Sequence, residues 1–143
     1  MKSFIICIGN RLLVEDSAAL MVFDRLQQRS LPDNISVIEG GLMGLNLLPF
    51  LEQGGRVVFV DNVSGFTRPG SLVVLGQEEI IATGAGHYDH NSGLAYVLSV
   101  LPKVFEGRLP EEIVLVGIEG PYSEKLIEDA ANLSVSIAQN GQK

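Results

Sequence analysis

At 143 residues, 46% hydrophobic and 19% charged, the chain is sized for one domain with one core, and it is too apolar to stay disordered. Its net charge of −7, with ten Lys and Arg scattered along it, argues against nucleic acid or an anionic membrane as a partner, because both select a basic face. A single cysteine excludes an internal disulfide and any cysteine-built zinc or iron–sulfur cage.

Phe4-Ile5-Ile6-Cys7-Ile8 reads as a buried strand that stops at Gly9-Asn10, with Cys7 a small buried hydrophobe rather than a nucleophile. The apolar run at the N-terminus is too short for a secretory signal, and no stretch approaches the ~20 apolar residues of a membrane span. A cytoplasmic, reduced compartment is expected, with no membrane insertion. After the acidic pair Glu15-Asp16, apolar residues recur at Leu20, Met21, Phe23 and Leu26, which predicts a helix from Ser17 to Gln28. Pro32-Asp33-Asn34 is a turn. Ile35-Ser36-Val37-Ile38 is a second strand ending at Glu39-Gly40-Gly41, and Leu45 to Leu51 a short helix whose end is blurred by Pro49.

Arg56 to Val60 is the third strand, apolar on both faces and therefore central, stopping on Asp61. A turn over Thr67-Arg68-Pro69-Gly70 leads to a fourth strand, Ser71 to Leu75, at an antiparallel edge. Residues 76–90 read as a mobile loop. Asn91 to Phe105 is a helix with Leu94, Val97, Leu98 and Leu101 on one face. Ile113 to Ile118 is the fifth strand, and Ser123 to Ala138 a last helix with Ser123 as its N-cap. There is no repeat, linker or low-complexity tract.

Strands alternating with helices predict right-handed crossovers and a three-layer α/β/α sandwich around a mostly parallel five-stranded sheet, with residues 1–143 as one domain. If the strand order begins 2-1-3, the chain reverses direction between strands one and three. Ligands of open α/β sheets bind at that point, outside the carboxyl ends of the strands. Asp16 follows strand one and Asp61 ends strand three, so both flank the crevice.

With a histidine from Gly86-His87-Tyr88-Asp89-His90, these acids suggest a metal-binding or acid/base site, since two carboxylates and an imidazole are a normal set for Zn²⁺ or Ni²⁺. Plain alternatives stand beside each. Glu15 or Asp16 could cap the first helix, either of the pair could point inward, and Asp61 could cap the turn at Asn62-Val63-Ser64. His87 or His90 could be solvated, and either could be the ligand. Gly40-Gly41 allow close backbone approach, and Glu39 beside them faces either the crevice or solvent. Neither GxGxxG nor GxxxxGK[ST] follows strand one, which removes the dinucleotide reading.

Taken together, these segments resemble the hydrogenase maturation endopeptidases from about residue 4 to residue 120. Ile8-Gly9-Asn10-Arg11-Leu12-Leu13-Val14-Glu15-Asp16 is similar to the family's Gly-Asn-x-Leu-x-x-Asp-Glu-Gly, and Glu39-Gly40-Gly41 stands where the family has Asp-Gly-Gly. Leu45, Leu47 and Leu48 follow, then Val58-Phe59-Val60-Asp61. His90-Asn91-Ser92-Gly93-Leu94 looks like His-x-x-Gly-Leu, and Val116-Gly117-Ile118-Glu119-Gly120-Pro121 like the closing strand and loop.

The resemblance implies a phosphorylase/hydrolase-like fold. It also implies a hydrolase that removes the C-terminal extension of a nickel–iron hydrogenase large-subunit precursor after nickel insertion. Asp16, Asp61 and His90 are then the metal-contacting and catalytic set. The nickel is supplied by the precursor, another divalent metal could substitute, and a water of lowered pKa or an aspartate base are both reasonable ways to activate the attack. Two departures stand out: the family's Asp-Glu is inverted to Glu15-Asp16, and the glycines after it become Ser17, Ala18 and Ala19. They motivate a second expectation, a catalytically silent relative that binds nickel or precursor as an assembly checkpoint.

Overall fold

The computed structural model describes residues 2–13, 17–41, 48–51, 55–83 and 110–142. Five strands, β1 (Ser3–Ile8), β2 (Ile35–Gly41), β3 (Arg56–Val63), β4 (Ser71–Gly76) and β5 (Glu112–Glu119), form one sheet in the order β2-β1-β3-β5-β4. The first three junctions are parallel, and β4 runs antiparallel along β5, so the expected fold class, the 2-1-3 start and the antiparallel edge all hold. β1 and β5 are buried along almost their whole lengths because their neighbours cover both edges and helices cover their faces, which is why they read as unbroken apolar runs.

Alternation of side chains divides the core in two. Ile5, Cys7, Val58, Val60, Val114 and Val116 face α1 (Ala18–Gln27) and the last helix, α4 (Glu124–Asn140). Phe4, Ile6, Val57, Phe59, Ile113 and Leu115 face the other way, toward Leu51 of α2 (Leu48–Leu51) and Ile80 of α3 (Gln77–Thr83). α1 turns Ala18, Ala19, Leu20, Val22 and Leu26 inward, and Ser123 caps α4 by accepting from the Leu126 N–H at 3.1 Å, as expected.

Two readings are corrected. Residues 77–83 are not loop but the helix α3. Glu78 and Glu79 suit the positive end of its first turn, and Ile80, fully buried, pins it to the sheet. The third strand does not stop on Asp61 but continues through Asn62 to Val63, because β5 keeps pairing with it as far as Glu119. The expected helix over 91–105, the start of the helix expected from Leu45, and residues 84–90 lie outside the described residues.

Candidate functional site

The crevice follows from the register. β1 pairs with β3 from Phe4–Val57 to Cys7–Val60 and no further. Past that point Ile8 pairs only with Gly41 of β2, while Asp61 pairs with Gly117 of β5. Asp61 is therefore the first residue of β3 beyond the parting of the two central strands, at the switch point of the sheet.

Its side chain lies on the face of Phe59 and Val63 and is fully buried. A buried carboxylate must be held by donors or by a cation; Asp61 Oδ1 accepts the N–H of Asn62 at 2.7 Å. Gly117, its register partner, has no room for a side chain: a Cβ there would lie 2.8 Å from Val73 Cγ1 and 2.9 Å from Val63 Cγ2. The glycine lets these valines close over the sheet beside the carboxylate.

Of the other expected ligands, Asp16 and His90 lie outside the described residues, as do Glu15 and His87. Among the described residues no group of three His, Cys, Asp or Glu is placed to hold a metal ion. What the fold does show is a hard oxygen donor, Asp61, buried at the crevice, which suits one position in the coordination of a divalent ion.

The loop leaving β1 is fixed by Arg11. Its guanidinium contacts Asp24 of α1 at 3.0 and 3.1 Å and Glu39 of β2 at 3.2 Å through two nitrogens. Glu39 is thus engaged with Arg11 at a partly exposed rim. Within the same loop the Leu12 N–H donates to Asn10 Oδ1 at 2.9 Å and the Leu13 N–H to the Asn10 carbonyl at 3.2 Å. Leu12 stands 90% exposed on this braced turn.

Three contributors escaped the sequence reading. Glu119, at the end of β5, is 7% exposed and accepts from the backbone N–H groups of Gly65, Phe66 and Thr67 at 3.0, 3.0 and 3.2 Å. The turn after β3 is thereby an anion nest filled by the protein's own carboxylate. Its signal, a carboxylate closing an apolar strand, was the one that singled out Asp61. Asn62 and Tyr122 carried no such signal. Asn62 Oδ1 accepts the Ala18 N–H at 3.2 Å, and Tyr122 Oη lies 3.0 Å from Ser17 Oγ.

The family model of HycI, a hydrogenase maturation protease, matches residues 20–140. The chain is 32% identical over 121 residues to the Hydrogenase 2 maturation protease of Escherichia coli, covering 82% of this chain and 73% of that protein. It is 29% identical over 121 residues to the hydrogenase expression/formation protein HupD of Bradyrhizobium diazoefficiens, with 82% of this chain against 62% of the longer relative. Among solved structures, the hydrogenase maturating endopeptidase HybD from E. coli superposes with a TM-score of 0.83 at 27% identity, over 98% of this chain and 94% of that one. The [NiFe] hydrogenase maturation protease HybD from Thermococcus kodakarensis gives 0.72 at 25% identity over the whole of both chains. With its sheet order, its switch-point carboxylate and these matches, the chain belongs to the hydrogenase maturation protease family.

Proposed function

We propose that this chain is an endopeptidase that removes the C-terminal extension of a nickel–iron hydrogenase large-subunit precursor once nickel is in place. The observation that supports it most is Asp61, a carboxylate buried where β1 and β3 part, within a fold shared with the maturation proteases. In this reading Asp16, Asp61 and His90 engage the nickel that the precursor carries, so the metal is part of the substrate. Another divalent ion with similar donor preferences substitutes in vitro. The ion supplies Lewis acidity at the bond to be cut.

The chain's own residues supply the rest. Asp61 is held by the Asn62 N–H and presents a pre-oriented oxygen, so little reorganisation accompanies binding. Gly40 and Gly41, at the end of β2 and next to Ile8, let a substrate backbone approach the sheet edge. No helix among the described residues is long and apolar enough to cross a membrane. As a separate part of this proposal, the reaction takes place in the cytoplasm.

The test is incubation with nickel-loaded and nickel-free precursor, read by intact mass. Loss of a short C-terminal peptide is expected from the nickel-loaded form alone. Asp61→Ala should lower the rate by about a hundredfold or more, as removal of an electrostatic group in a preorganised site does. Retention of the full precursor mass by the wild-type chain, with a stable complex in its place, would overturn the peptidase reading.

A further inference from the structure

The first turn of a helix leaves backbone N–H groups without partners inside the helix, and a Ser at the N-cap ordinarily satisfies one of them with its hydroxyl. α1 departs from this. Its N-cap, Ser17, sits in helical backbone conformation and makes no side-chain cap bond. Its Oγ lies instead against Tyr122 Oη at 3.0 Å. The capping acceptor is supplied from outside the helix, by Asn62 Oδ1 on the Ala18 N–H at 3.2 Å.

Asn62 is also the residue whose own N–H fixes Asp61 Oδ1 at 2.7 Å. It follows Asp61 on β3, so alternation sends its side chain to the opposite face, toward α1. A single residue, 8% exposed, therefore holds the candidate carboxylate with its backbone and the entrance of α1 with its side chain. The residue type fits both demands. Alanine or valine offers no acceptor to the helix. Aspartate would offer one but bring a second buried charge beside Asp61, which like-charge repulsion disfavours. A neutral amide caps the helix without competing with the site.

We infer that Asn62 is a positioning residue for the hydrolysis. By tying the Ala18 N–H to the residue that holds Asp61 Oδ1, it fixes the β3 carboxylate relative to the first turn of α1, and Tyr122 steadies that turn through Ser17. This rests on the reading of Asp61 as part of a peptidase site.

The test compares Asn62→Ala, Asn62→Asp and Tyr122→Phe with the wild-type chain on nickel-loaded precursor, with amide hydrogen exchange recorded in parallel. Asn62→Ala should lower kcat about ten- to a hundredfold while KM stays within about twofold, the pattern of a misplaced rather than a missing contact. Its Ala18 amide should lose protection while the amides at the middle of β3 keep theirs. Asn62→Asp should restore that protection but recover rate only in part. Tyr122→Phe should fall between wild type and Asn62→Ala.

Wild-type kcat in Asn62→Ala, or a loss that merely follows its folded fraction, would overturn the inference. So would a rise in KM at constant kcat, which would make Asn62 a substrate contact. A wild-type chain that releases no peptide would overturn the peptidase reading and the catalytic role together. The loss of Ala18 protection in Asn62→Ala would still decide whether the Asn62 tie exists.

Discussion

Cys7 shows how one side chain can be inert and still govern a pH response. It is fully buried near the carboxyl end of β1, and burial pushes its thiol well above the ordinary value of 9.0, with the nearby carboxylates of Glu39, Asp61 and Asp24 adding to the rise. As pH increases, the unfolded chain gives up this proton first, so the folded state binds more protons across the alkaline range. Stability from this source is therefore complete below pH 9 and declines as pH climbs above it. Urea midpoints measured at neutral and alkaline pH should fall more steeply for the wild-type chain than for Cys7→Ala. A thiol reagent should label the native protein only as fast as it unfolds; rapid labelling under native conditions would refute the burial. Cys7 was readable in the sequence because an apolar strand surrounded it, and Asp61 for the same reason. Asn62 was not readable. Its partner is a backbone N–H at Ala18, 44 positions away, and a backbone donor leaves no mark in a sequence.

At the scale of elements, the connections are held by charge and the layers by burial. Glu119 joins the end of β5 to the turn between β3 and β4 through three backbone N–H groups. Glutamine keeps the shape but withdraws the charge, so Glu119→Gln should cost about 1–3 kcal/mol in urea unfolding with an unchanged m value. Glu124→Gln, at a side chain 91% exposed, should stay within about 0.5 kcal/mol. α1 and α4 are bridged at the surface by Arg25 to Glu124 and Glu128, and by Arg29 to Glu128. Exposed pairs of this kind contribute about 0.2–1 kcal/mol each, whereas truncating a buried leucine such as Leu26 costs about 2–5 kcal/mol. The apolar seam, not the charges, docks these helices. On α1 that seam was visible as period-3.6 spacing, and for α4 Ser123 marked the start, so both helices are placed within a residue or two. α3 was missed because seven residues are too few to show a period, and the glycines that follow Thr83 suggested a loop. The end of β3 was missed for a different reason. Asp61-Asn62 has the composition of a turn, and only the neighbouring β5 extends the strand through it.

For the whole molecule, alternation of strands with helices was enough to reach the layered architecture and the reversal between β1 and β3. The position of β5 between β3 and β4 needed long-range pairing that no local pattern encodes. That order also bears on how the chain is made. β3 emerges from the ribosome with β1 already available on one side, but its other edge is filled by β5, which starts at Glu112 and pairs first with Arg56. For the whole interval between them, this largely buried strand carries an open ladder of N–H and C=O groups. A nascent chain in that condition is prone to pair with its neighbours, and slow non-local closure lengthens the exposure. A fragment ending at residue 110 should sediment as large aggregates at concentrations where the full chain does not. If that fragment remained monomeric, the β3 edge would have to be covered by something other than β5. In the role proposed above, a chain that finishes another protein by trimming its C-terminal end would depend on its own last fifth, from Glu112 onward, to close the edge of its sheet.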